Sequence, residues 1–192
     1  GLGDVYKRQA ARLYTAVDVQ DERQLAFYEH NGFKMDYTED LVRLNDPDEV
    51  PQLFNCSCIT LPLNTVQEQM DLVSRMRGAG FSYFDHGFLL QQMNRQNFAA
   101  LGILYGSNLV GACVAAGQYT SAEVMGLYIV PEFQRKGLGT RLLQQTKQAL
   151  ASTGVTDLTM RVMSDSEPQV RLVQRFYAEL VEHTSVFPSM QI

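Results

Sequence analysis

The sequence predicts an α/β protein of the α+β kind, on three observations. Short runs alternate apolar and polar residues as strands do, and other runs repeat apolar residues at helical spacing. Three of the strand-like runs follow one another between residues 99 and 130, and a glycine-rich turn then opens a helix. The 192 residues are 45% apolar and 19% charged, which is enough for a real core and excludes a disordered chain. No apolar stretch approaches the roughly 18 residues of a membrane span, and no block of like charge suggests a nucleic-acid arm, so neither partner is expected. Cys56, Cys58 and Cys113 form no disulfide framework or metal set, which points to a reducing, cytoplasmic setting.

The charge is uneven. Residues 10–50 carry ten acids and four bases, whereas residues 51–192 carry ten of each. The acid excess ends in the run Asn45-Asp46-Pro47-Asp48-Glu49, which with Pro51 reads as a solvated acidic linker over residues 46–54. Residues 1–9 need separate treatment, because Asp4 to Gln9 resemble a translated transposase adapter. They are expected to be a non-native tail, and Gly1-Leu2-Gly3 is not taken as a nucleotide loop.

Residues 11–18 read as a strand, Asp21-Glu22 open a helix that Asn31-Gly32 stops near His30, and Phe33 to Leu44 reads as a second strand. This β-α-β piece is too short to bury both faces of its own sheet. Beyond the linker, Cys56 to Leu63 reads as a strand, and Thr65-Val66-Gln67-Glu68 has capping-box spacing. The helix that follows is expected to present Val66, Met70 and Val73 along one stripe and to end at Gly78 and Gly80. A short helix within 85–97 precedes strands at Ala99–Tyr105, Leu109–Ala116 and Ala122–Val130. After the Gly-rich turn, a helix runs from Arg141 to Ser152 and a strand from Leu158 to Met163. A last helix starts at Ser166-Glu167-Pro168 and carries Val170, Val173, Phe176, Tyr177 and Leu180 on one side, and Glu182 to Ile192 is expected to add a strand.

Gln134-Arg135-Lys136-Gly137-Leu138-Gly139-Thr140 lies between a strand and a helix, where backbone N–H groups and the helix dipole favour an anion. Its two glycines remove Cβ atoms where a phosphate approaches, and Arg135, Lys136 and Arg141 add positive charge. A Walker loop is ruled out, since Thr140-Arg141 follows the second Gly. A dinucleotide fingerprint would need Gly at Leu142. A Gly-x-Gly turn that only caps a helix stays open.

The run from Ala122 through Pro131 to Gly139 resembles the strand and pyrophosphate loop of GNAT-superfamily N-acetyltransferases, whose loop reads Gln/Arg-x-x-Gly-x-Gly/Ala. The resemblance spans residues 55–192. It implies a mixed, mostly antiparallel sheet flanked by helices, with a strand splayed to admit the pantetheine arm of acetyl-CoA as co-substrate. By the same resemblance Leu127, Tyr128 and Ile129 would contact pantetheine, and Gln134, Arg135, Lys136, Gly137, Leu138, Gly139 and Thr140 would hold the pyrophosphate. Leu25-Ala26-Phe27-Tyr28-Glu29-His30-Asn31-Gly32-Phe33 resembles the family's late motif Phe-Tyr-x-x-x-Gly-Phe. Residues 10–45 are therefore expected to be the tail of a preceding domain of the same kind, and the chain a fragment of a tandem protein.

The implied function is acetyl transfer to an amine substrate. Glu123, fourteen residues before Gly137, has the spacing of the base in histone-acetylating members, against the alternative of an exposed strand-start carboxylate. Tyr177 matches the position from which members protonate the CoA sulfur, against the alternative of core packing. Its surroundings depart from the family pattern, with Val170 where Asn is usual and no Gly-Phe after it. That departure motivates an alternative, a catalytically silent acyl-CoA-binding or interaction module.

Overall fold

The structure is a computed structural model that describes residues 12–14 and 16–191. The expected tail at residues 1–9 lies outside them. Among the described residues nine strands run β1 Arg12–Tyr14, β2 Val17–Asp18, β3 Lys34–Arg43, β4 Cys56–Thr60, β5 Asn97–Tyr105, β6 Asn108–Gly117, β7 Ser121–Ile129, β8 Asp157–Met163 and β9 Glu179–Gln191. The described residues also form five α-helices, α1 Glu22–His30, α2 Val66–Gly78, α3 His86–Met93, α4 Leu138–Ala151 and α5 Glu167–Arg175, with a 3-10 turn at Pro131–Phe133. This is the mixed, mostly antiparallel α/β architecture that the sequence predicts. The chain divides into two compact units.

The first unit takes in the described residues up to Val42, Arg161–Val173 and the stretch from Glu179. Strand β9 pairs antiparallel with β1, Arg12 opposite Gln191, and with β2, Val17 opposite Val186. Strand β3 also neighbours β9. The N-terminal β-α-β piece is present, but its strands meet through β9 instead of pairing with each other. The physical reason is the one its length gives: two short strands and one helix cannot satisfy their own edges. Helix α1 starts where the Asp21 carboxylate accepts from Gln24 N at 3.1 Å. It stops where Gly32 takes a φ of +83°, and Phe33 folds back edge-on to Tyr28 at 5.0 Å between ring centroids.

The second unit holds Arg43–Met160 and Gln174–Ala178. Its strands run β4-β5-β6-β7-β8, antiparallel except for the parallel β7–β8 pair. The expected capping box is formed, with Glu68 N donating to Thr65 Oγ1 at 3.2 Å and Thr65 N donating to the Glu68 carboxylate at 2.9 Å. The buried face of α2 is Leu72, Val73 and Met76, while Val66 and Met70 are exposed, so of the predicted stripe only Val73 is buried and the buried face is rotated from it. The cluster of Leu72, Val73, Met76, Phe84 and Leu89 packs on Ala100, Ala112 and Val114 of the sheet. Cys113, between Ala112 and Val114, points to the other face and meets Thr146 of α4. Helix α4 buries Leu138, Leu142, Leu143, Thr146 and Leu150 there. Strands β5 and β6 are thus covered on both faces, which explains their near-continuous burial.

Candidate functional site

Strand β7 pairs with β8 only from Ser121 to Val124, opposite Asp157 to Met160, yet it stays paired with β6 as far as Ile129. A register shift opposite Val114 and Ala115 leaves Met125 as the extra residue of a bulge. Past that bulge β7 has one partner and one open edge. Val130 N donates to Val110 O at 2.8 Å, so alternation turns the N–H and C=O groups of residues 126 and 128 toward β6. Those of Leu127 and Ile129, and the carbonyl of Met125, face the open edge.

Two side chains occupy the ends of that edge. Tyr83 Oη donates to Met125 O at 2.5 Å, and Gln134 Nε2 donates to Ile129 O at 2.8 Å. Leu127 lies between them with both backbone groups outward. Tyr83 was not among the expected site residues, because it sits in the turn between α2 and α3. The cluster of aromatics there, with Tyr83 edge-on to Phe81 at 6.1 Å and to Phe88 at 5.3 Å, was the available signal.

Beyond Ile129 the chain turns through Pro131–Phe133 into the loop. Gly137 is the N-cap of α4 with a φ of +83°, and no side chain caps the helix. Arg141 N donates back to Gly137 O at 3.2 Å, so the N–H groups of Leu138, Gly139 and Thr140 precede the first intrahelical bond and point out of the helix start. Leu138 and Thr140 bury their side chains, so they can offer a ligand backbone only. Gln134, Arg135 and Lys136 are exposed, and Lys136 Nζ lies 5.4 Å over the Phe133 ring. Arg141 sits in the first turn of α4. Its guanidinium turns to Cys58 on β4, whose thiol burial pushes up and Arg141 pulls partly back.

Tyr128 packs beside the α2 cluster, and burial raises its hydroxyl above the ordinary value. Glu123 is half-buried on β7, between Ala116 of β6 and Thr159 of β8. Tyr177 is not on the last helix, which ends at Arg175. It stands in the following turn at a φ of +46°, with Phe176 fully buried before it. Its side chain is 55% exposed, which corrects the core-packing alternative. The hydroxyl donates to the Asp48 carboxylate, and this bond raises the phenol above its ordinary value. Glu123, Leu127–Ile129, the loop and Tyr177 all belong to the second unit. Among the described residues no group of His, Cys, Asp and Glu could hold a metal ion, and no helix is long and apolar enough to cross a membrane.

A sequence profile of the acetyltransferase (GNAT) family matches residues 67–177, more than half of the chain. The chain belongs to that family. Solved structures agree in fold. A GCN5-related N-acetyltransferase from Sphaerobacter thermophilus superposes with a TM-score of 0.67 at 14% identity, covering 97% of this chain and 64% of that one. A tandem GNAT protein from the clavulanic acid biosynthesis pathway gives 0.64 at 16% identity, covering 98% and 66%. The PaiA N-acetyltransferase from Thermoplasma acidophilum, in complex with coenzyme A, gives 0.53 at 16% identity, covering 72% and 100%. This chain therefore spans just under two thirds of the first two. No curated protein matches it closely in sequence.

Within this GNAT chain helices α1 and α5 can be compared directly. Helix α1 ends two residues before Gly32, which has positive φ, and Tyr28 lies four residues before that glycine. Helix α5 ends two residues before Tyr177, also at positive φ, and the residue four before it is Val173, which is buried. The Phe-Tyr pairs that look alike in sequence are thus four residues apart in helix register. Tyr177 takes the helix-terminating position that Gly32 takes in α1.

Proposed function

We propose that the second unit transfers an acetyl group from acetyl-CoA directly to an amine. One observation carries this reading: a strand edge open from Met125 to Ile129 that leads into an uncapped helix N-terminus at Gly137. The outward N–H and C=O of Leu127 suit the amides of an extended pantetheine arm, with Tyr128 and Ile129 flanking it. The backbone of Gln134 to Thr140, with Arg135 and Lys136 beside it, suits a pyrophosphate.

Acetyl-CoA would supply a thioester whose carbonyl carbon is open to amine attack. A free alkylamine has a pKa of about 10, so its proton must be removed near neutral pH. Glu123 is the proposed base, a role worth about 10²–10⁴-fold in rate. The outward N–H of Ile129 is the proposed donor to the carbonyl oxygen as negative charge builds there. The C–N bond forms, the C–S bond breaks, and the departing thiolate takes a proton from Tyr177 once that hydroxyl leaves Asp48. Calorimetric titration with acetyl-CoA, followed by thiol release across an amine panel, tests the reading. Binding with amine-dependent thiol release is expected, and no heat at near-millimolar ligand overturns it.

A second reading is favoured by the helix register. With Val173 where α1 has Tyr28, and with Tyr177 terminating the helix, the unit would bind acyl-CoA without turnover. Binding with no thiol release, unchanged by Tyr177→Phe, would support this second reading against the first.

A further inference from the structure

The acidic run before β4 reads in sequence as a solvated linker, but it is not free of the domain. Asn45 N donates to Phe176 O and Asn45 Nδ2 to Tyr177 O, both at 2.8 Å. Asp46 pairs with Lys147 of α4 at 2.7 Å, and Asp48 accepts from the Tyr177 hydroxyl. Three residues on, the Pro51 ring covers Gly137: a Cβ at position 137 would lie 2.8 Å from Pro51 Cγ and 3.9 Å from Leu53 Cδ2. Val50, Pro51 and Leu53 are half-buried, while Asp48, Glu49 and Gln52 face outward. All of these residues belong to the second unit.

The close approach that a glycine permits at the head of the anion loop is therefore taken by a proline of the same chain. Asp48 and Glu49 stand two to three residues before that proline and are exposed. About 15 Å farther along α4, Lys147 holds Asp46 and so ties the run to the helix, and the phenol proposed as proton donor is bound to Asp48. The Pro51 contact at Gly137 and the Asp48 contact at Tyr177 are ones that acyl-CoA in this site would have to release.

We propose that residues 45–53 form an autoinhibitory strap, closed over the Gly137 loop and Tyr177, which acyl-CoA must displace to bind. The proposal rests on the acyl-CoA reading above. It makes closed and open strap two states of one equilibrium, with apparent affinity reduced by the fraction of chains that are open. Opening frees the Tyr177 hydroxyl and uncovers Gly137 in one movement, so binding and activation would be coupled.

The test uses coenzyme A and the full chain. Calorimetry compares wild type with Asp46→Asn/Asp48→Asn, two residues outside the proposed cofactor contacts, after a cooperative melt shows that the variant folds. Binding about tenfold tighter in the variant is expected. In parallel, glutamyl endopeptidase cleavage after Glu49 is timed on the unmutated chain, where added coenzyme A should accelerate the cut. Equal or weaker binding in the variant, or protection of Glu49 by coenzyme A, overturns the strap and leaves the acyl-CoA reading standing. No binding by either protein overturns the acyl-CoA reading itself, and the strap with it.

Discussion

Replacing Gly137 by Ala separates two demands that the structure places on one residue. The first is conformational. A φ of +83° costs a residue with a Cβ about 1–2 kcal/mol. The second is steric, because the new methyl would sit 2.8 Å and 3.0 Å from Pro51 Cγ and Cβ, a ring that cannot rotate away without moving its backbone. Gly154 isolates the first demand: its φ is +100°, and nothing lies within 4 Å of a Cβ built there. Gly154→Ala should therefore lower the melting temperature by roughly 2–8 °C, taking about 2–4 °C per kcal/mol for a chain of this size. Gly137→Ala should melt lower still, and Gly137→Ala combined with Pro51→Gly should recover the difference. Thermal melts by circular dichroism at 222 nm report all three. If Gly137→Ala melts at or above Gly154→Ala, Pro51 is not seated on the loop and the steric argument fails.

Three further outcomes follow from the same contacts. Burial pushes the Cys113 thiol up to about 12, so it stays protonated in the fold while the unfolded chain ionises near 9. The stability tied to it is complete below pH 9 and is lost as pH climbs toward 12. At pH 8 a thiol reagent should label the half-buried Cys56 and Cys58 but reach Cys113 only in denaturant, and three equal rates would contradict this. Asp48→Asn should bring Tyr177 back toward its ordinary titration, read as tyrosinate absorbance at lower pH than in wild type, whereas an unmoved curve would show that the pair does not form in solution. Glu123→Gln should lower kcat for an accepted amine by about 10²–10⁴-fold, and an unchanged kcat would exclude Glu123 as the base.

Local chemistry was legible in the sequence, and contacts over distance were not. Thr65 and Glu68 announce their capping box because both halves lie within one turn. The Gly137-Leu138-Gly139 turn announces a helix start for the same reason. Two readings went astray where periodicity competes with tertiary packing. Helix α2 buries Leu72, Val73 and Met76, since the sheet and α3 select that face, although Val66 and Met70 fit an apolar stripe equally well. The last helix looked long enough to carry Tyr177 and Leu180, but Phe176 is buried and the backbone turns left-handed directly after it. Nothing within the run Asp46-Pro47-Asp48-Glu49 marks it as anything but solvated, because its partners Lys147 and Tyr177 lie about a hundred residues or more away in the chain. Tyr83 went unnoticed for a related reason: its bond to Met125 O depends on a bulge that the sequence does not signal.

The account stands or falls on the open edge of β7. Amide hydrogen exchange with and without saturating coenzyme A measures it residue by residue. Leu127 and Ile129, whose N–H groups face away from β6, should gain protection together with Gly137 to Thr140, while Gly126 and Tyr128, already bonded to β6, should change little. Binding that leaves Leu127 and Ile129 exchanging as fast as in the free protein would contradict it.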